Sequence, residues 1–109
     1  MKPMREPSYF VLAALIDGPL HGYAILKRVE ELSGGRTRMS TGTLYGALER
    51  LSAEGLLAPG PEEVVDGRPR RAYTLTEQGL TAVLAEAERL AAAASVVTSR
   101  TAMTRARFA

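Results

Sequence analysis

Between Met39 and Leu57 the apolar residues Leu44, Ala47, Leu48 and Leu51 fall at i, i+3, i+4 and i+7. That spacing commits one face of a helix to a core. Ser40 or Thr41 is the predicted N-cap, and Gly55 closes the helix. Two shorter helices are predicted before it. The first spans about Pro7 to Ile16, with proline tolerated in the opening turn and Val11, Leu12, Leu15 and Ile16 as its stripe. Asp17-Gly18-Pro19 stops it. The second spans about His21 to Leu32. Ile25, Val29 and Leu32 repeat at steps of four and three, with Leu26 alongside. Lys27, Arg28, Glu30 and Glu31 cover its outer side, and Gly34 and Gly35 end it.

After Gly55 the period changes. Leu56 to Ala58, Val64 to Val65 and Ala72 to Leu75 have strand character, and Asp66-Gly67-Arg68-Pro69 is a turn signal. The pattern predicts a β-hairpin whose first strand is interrupted by Pro59-Gly60-Pro61. Thr76 then caps a last helix, with Glu77 favourably placed against its N-terminal dipole. Leu80, Val83, Ala87, Leu90, Ala94, Val97 and Thr101 alternate steps of three and four, a heptad seam that runs to about Arg100 or beyond. Fraying is expected over the final residues.

Three helices followed by a hairpin is the order of a winged helix-turn-helix. The expected fold is mainly α with a small β-hairpin (α+β). It comprises a DNA-binding domain over 1–76 and a dimerisation helix over 77–109. In this arrangement the third helix points its N-terminal residues into the DNA major groove. That role suits Ser40, Thr41, Gly42 and Thr43, which are small and carry hydroxyls or exposed backbone N–H groups, and Tyr45 one turn on. Read singly, serine and threonine are ordinary caps and tyrosine is often half-buried core. The hairpin shifts the balance, because Arg68, Arg70 and Arg71 lie at or beside its tip, where a phosphate or minor-groove contact needs guanidinium groups.

Composition narrows the classes. The chain has 109 residues, 46% hydrophobic and 24% charged, as for one ordinary globular domain. No cysteine is present, which excludes disulfides and thiolate metal sites. No run approaches the apolar length of a membrane span. The N-terminus lacks a signal-peptide pattern, so a cytoplasmic protein is expected. Net charge is +2 and the pI about 9.3. The basic residues are arginines except for Lys2 and Lys27. Catalysis is not expected. His21 is the single histidine, Glu62 and Glu63 stand without a second carboxylate cluster for acid–base work, and no phosphate loop or metal spacing appears. No cofactor or metal is expected.

The runs "GPLHGY", "TLY-x-x-L-x-x-L-x-x-x-G-L" and "GRPRR-x-Y-x-L-T-x-x-G" resemble the PadR family of bacterial transcriptional regulators in order and spacing, from about Tyr9 to Leu90. The resemblance implies a dimeric winged-helix repressor of the branch with a single C-terminal dimerisation helix. By position it implies DNA contacts from Ser40, Thr41, Thr43 and Tyr45, and from Arg68 and Arg70 on the wing. His21-Gly22-Tyr23 would face the phosphate backbone. Family members often carry proline after the "TLY" tyrosine, where this chain has Gly46.

The last helix needs something to cover it. Leu80, Val83, Leu90 and Val97 would each gain roughly 1.5–3 kcal/mol on full burial. Part of the helix is expected to fold back on the first helix through Leu80 and Leu84. The remainder of the seam, with Ala87, Leu90, Ala94 and Val97, is expected to pair with a second copy. Such a homodimer suits a palindromic site. The family resemblance also implies a small apolar effector in a cleft between the subunits, which Tyr9 and Phe10 could line, although filling the dimer interface is the simpler role for them. The alternative reading is a protein-interaction module that uses the same surfaces and does not bind duplex DNA.

Overall fold

The structure is a computed structural model and describes residues 3–109. Seven elements follow one another: α1 (Glu6–Ala14), β1 (Leu20–His21), α2 (Gly22–Leu32), α3 (Thr41–Ala53), β2 (Leu57–Val65), β3 (Arg68–Leu75) and α4 (Glu77–Arg107). One core joins α1, α2 and α3. It contains Val11, Leu12, Leu15, Ile25, Val29, Leu44, Leu48 and Leu51, closed by Leu57 and Tyr73 from the sheet and Val83 from α4.

The helices follow their apolar spacing, with corrections at the ends. Pro7 lies in the first turn of α1, where its missing N–H leaves no intrahelical bond unmade. This helix stops at Ala14, short of the predicted Ile16, and Ile16 is exposed rather than part of the stripe. Once the chain leaves helical geometry at Leu15, the i+4 relation to Leu12 no longer directs the next side chain inward. At α2 the N-cap His21 is extended, so the helix begins at Gly22. In α3 the predicted cap is Ser40, whose Oγ accepts from the Thr43 N–H at 3.2 Å. The helix continues unbroken through Gly46 to Ala53.

The sheet has three strands, not two. All neighbours are antiparallel and the order is β1-β3-β2. Leu20 pairs with Tyr73 and His21 with Ala72. Pro59-Gly60-Pro61 does not break β2; the sheet absorbs it as a bulge. Pro59 is opposite Tyr73 and Glu62 opposite Arg71, so Gly60 and Pro61 face the single residue Ala72. A Cβ on Gly60 would lie 3.0 Å from the Ala72 carbonyl oxygen, which explains glycine in the bulge. Asp66 and Gly67, at φ 52° and 75°, form a two-residue turn whose left-handed conformations match the twist of a hairpin. Arg68 and Pro69, read from the sequence as turn residues, therefore belong to β3.

Thr76 links sheet and last helix. Its hydroxyl donates to the Gly55 carbonyl at 2.7 Å and accepts from the Gly79 N–H at 2.9 Å. Gly79 lies so close to the β2 entry that a Cβ would collide with the Leu56 carbonyl oxygen. The in-chain face of α4 is Gly79, Val83 and Glu86, at steps of four and three. Beyond it the helix leaves the body of the molecule. Its 31 residues span about 46 Å at 1.5 Å per residue. The molecule measures 64 × 26 × 21 Å. Every residue from Ala91 to Arg100 is exposed, and the helix runs on to Arg107. No helix among the described residues is long and apolar enough to cross a membrane.

Candidate nucleic-acid interface

Three separate chain segments converge on one cleft of about 440 Å³. Its walls come from His21, Gly22 and Tyr23 at the start of α2, Tyr45 on α3, and Arg68 to Arg71 on β3. The small strand β1 is the physical reason. By pairing with β3 it ties the N-terminus of α2 to the wing arginines. Tyr45 closes the gap between the helices. A Cβ on Gly22 would come within 2.5 Å of the Tyr45 hydroxyl oxygen and 2.9 Å of its ring, so the glycine of "HGY" is what lets that ring lie against α2.

Ser40, Thr41, Gly42 and Thr43 form the exposed cap and first turn of α3, and Tyr45 is 47% exposed one turn later. Leu44, Leu48 and Leu51 occupy the opposite face and are buried. The helix thus spends its apolar side on its own core and leaves a polar side free. Tyr23 is exposed, and the Lys27 ammonium lies 5.7 Å from its ring centroid, within cation–π range. From the sequence alone Lys27 belongs simply to the outer side of α2. Its relation to Tyr23 follows from the i, i+4 helical step.

Alternation along β3 separates the arginines. Arg71 shares the face of Tyr73, while Arg68 and Arg70 share the other. Burial pushes the Tyr73 hydroxyl up from its usual pKa, nearby Tyr45 adds to this, and Arg71 pulls it back. Arg71 also makes a surface ion pair with Glu62 at 3.8 Å. In the loop before α3, Arg36 pairs with Glu6 at 2.9 Å and Arg38 with Glu30 at 3.3 Å.

The candidate dimer face divides unevenly. Leu80, Leu84, Leu90, Ala94 and Val97 are exposed and Ala87 is partly so. Val83, read as part of the same seam, is instead only 4% exposed and belongs to the chain's own core. Leu80 and Leu84, expected to fold back on α1, are 46% and 54% exposed; the buried face of α4 carries Gly79, Val83 and Glu86 instead. Tyr9 and Phe10 are half-buried and pack edge to face with centroids 5.3 Å apart. Together with Met4, Glu86, Arg89 and Leu90 they line a cleft of about 310 Å³. Arg89 grips the buried Glu86 carboxylate through Nε at 2.8 Å and Nη2 at 2.6 Å. Those hydrogen bonds hold the Glu86 carboxyl below the usual carboxylate range against the opposing effect of burial.

Residues 11–85 match the sequence model of the Transcriptional regulator PadR-like family. An uncharacterized 37.1 kDa protein in transposon TN4556 of Streptomyces fradiae is 47% identical over 87 residues, covering 80% of this chain and 24% of that protein. Transcriptional regulator Rv3488 of Mycobacterium tuberculosis is 42% identical over 73 residues, covering 67% of this chain and 64% of the relative. The chain thus spans less than two thirds of either relative. Among solved structures, Bacillus subtilis PadR in complex with operator DNA superposes with a TM-score of 0.64 at 26% identity, over 72% of this chain and 45% of that one.

Proposed function

The chain belongs to the PadR-like family of transcriptional regulators, and from that premise we propose that it binds a palindromic operator as a homodimer and represses by occluding a promoter. Ser40, Thr41, Gly42, Thr43 and Tyr45 enter the major groove, with small residues at the tip permitting close approach. Arg68, Arg70 and Arg71 reach phosphates and the adjacent minor groove. His21 and Tyr23 meet the backbone beside them. The observation that carries this reading is the single cleft shared by His21–Tyr23, Tyr45 and Arg68–Arg71. Three segments distant in sequence bring two exposed ring-bearing side chains and three arginines to the walls of one cleft.

The partner for α4 is a second copy, seated on Leu80, Leu84, Ala87, Leu90, Ala94 and Val97. The exposure of Leu80, Leu84, Leu90, Ala94 and Val97, with Ala87 partly exposed between them, supports this pairing. Two recognition helices then address half-sites about one DNA turn apart. A small apolar effector fits beside Tyr9 and Phe10, and there it would alter the spacing of the two halves. A ligand panel without effect on operator affinity counts against that last element.

The test is a gel shift with the DNA upstream of the protein's own coding region, over a salt series. Binding should focus on an inverted repeat and weaken with a log–log slope of about −0.9 per phosphate neutralised. A protein that ignores duplex DNA at low salt would instead be an interaction module, and the reading above would be wrong.

A further inference from the structure

We propose that Glu62 and Glu63 are specificity-determining residues, acting as built-in counter-ions that hold the wing arginines back from non-cognate DNA. The inference rests on the DNA-binding reading and deepens it. Between Leu57 and Leu75 the wing carries three carboxylates, Glu62, Glu63 and Asp66, and three guanidiniums, Arg68, Arg70 and Arg71. For an element that must approach phosphates, zero net charge is a weak attractor. The carboxylates are not scattered. Glu62 stands opposite Arg71 and Glu63 opposite Arg70, so two acidic rungs face two basic ones. Directly opposed side chains of an antiparallel pair share a face; Glu62 and Arg71 close to an ion pair, while Glu63 and Arg70 are matched by register alone.

The bulge creates this matching. Continued without it, the register from Pro59 and Tyr73 would set Pro61 opposite Arg71 and Glu62 opposite Arg70. A one-residue slip moves each side chain to the other face of the sheet. The extra residue at Gly60-Pro61 places Glu62 on the face of Arg71 and Tyr73, the face that adjoins Tyr45. Glu62 and Arg71 remain 61% and 43% exposed and 3.8 Å apart. An exposed pair of this kind is weak, so a well-aligned phosphate displaces the carboxylate at little cost. A poorly aligned one gains too little to do so. The carboxylates therefore penalise loose encounters more than the fitted complex, which raises the ratio of specific to non-specific binding.

Counterion release supplies a readout that a structural role would not move. When Arg71 leaves Glu62 for a phosphate, the freed carboxylate takes up a cation. That uptake offsets part of the cation release from DNA. Removing the carboxylate removes the offset.

Two fluorescein-labelled duplexes serve as probes: one of scrambled sequence, and one selected from a random library by the wild-type dimer. Anisotropy titrations over a salt series compare wild type, Glu62→Gln, the double variant Glu62→Gln/Glu63→Gln, Arg71→Ala and Glu88→Gln. Glu88 is exposed on α4, away from the wing, and controls for net charge. The double variant should bind the scrambled duplex about five- to tenfold more tightly, with a salt slope steeper by up to about one. The selected duplex should gain about twofold or less, and Glu88→Gln should leave both affinities near wild type. If Arg71→Ala weakens binding yet the double variant keeps wild-type affinity and slope on scrambled DNA, the counter-ion role is overturned and DNA binding stands. If wild type binds neither duplex at low salt, both fail together.

Discussion

α3 and α4 are both amphipathic, and they have opposite needs. α3 buries Leu44, Leu48 and Leu51 within its own chain and exposes small and polar groups at its tip. It is structurally complete and chemically unsatisfied. α4 buries Gly79, Val83 and Glu86 near its start, then extends with Leu90, Val96, Val97 and Met103 in solvent. Its distal half has no cover within the chain. The difference teaches that a helix exposing polar groups at its end invites a polar ligand, whereas one exposing an apolar stripe invites another protein surface. The radius of gyration, 17.3 Å, exceeds the roughly 13 Å of a compact chain of this length, and the protruding α4 accounts for the excess.

Spoiling the exposed seam of α4 should have the largest effect. A chain carrying Leu84→Lys, Leu90→Lys and Val97→Lys keeps the contacts of Gly79, Val83 and Glu86 but loses the apolar seam. It should remain folded by circular dichroism, sediment as a monomer, and lose about 100-fold or more in operator affinity, because the second half-site no longer binds intramolecularly. A stable dimer of that variant would refute the division drawn between the two helices. Striking the inward face of α3 comes next. Leu48→Ala should cost about 3 kcal/mol in urea unfolding, since the side chain is 1% exposed and leaves a cavity. The outward face should respond in the other assay. Tyr45→Ala should weaken operator binding about tenfold while changing stability by about 1 kcal/mol or less. Equal losses in both assays would mean that Tyr45 works mainly as packing against Gly22.

The smallest expected effect lies where α4 meets the body. The Glu86 carboxyl is held below its ordinary pKa by Arg89. A group depressed in the folded state contributes stability above its unfolded pKa, and that contribution disappears as pH falls through the folded one. Glu86→Gln should therefore lower the urea midpoint near neutral pH and flatten the decline on the acid side. An unchanged acid limb would show that the Arg89 contact adds nothing to docking.

Much of this was legible in the chain because helices encode themselves locally. Leu44, Ala47, Leu48 and Leu51 mark a face by spacing alone, Ser40 and Thr76 mark starts, and Gly55 marks a stop. The candidate interface residues are recognisable as types in the right order, hydroxyls at a helix tip and arginines at a hairpin. What escaped were features without a local period. A strand of two residues, Leu20–His21, has no alternation to detect; it exists because β3 offers it hydrogen-bonding partners. Lys27 was visible as a charge, but not as the neighbour of Tyr23. Glu62 and Glu63 looked like isolated loop acids until strand pairing set them against Arg71 and Arg70.

By itself the sequence determined which segments are helical, which face of each is apolar, and that the last helix carries more apolar surface than a small domain can cover. Those properties depend on contacts between near neighbours along the chain and on the periods of 3.6 and 2 that the backbone imposes. Only the tertiary structure decided which apolar residue of α4 serves the chain's own core, how the bulge sets the register of the wing, and that His21, Tyr45 and Arg71 share one cleft. Each of those is a relation between residues far apart in sequence, and it is set by close packing and hydrogen bonding across the fold, which leave no periodic trace in either partner alone.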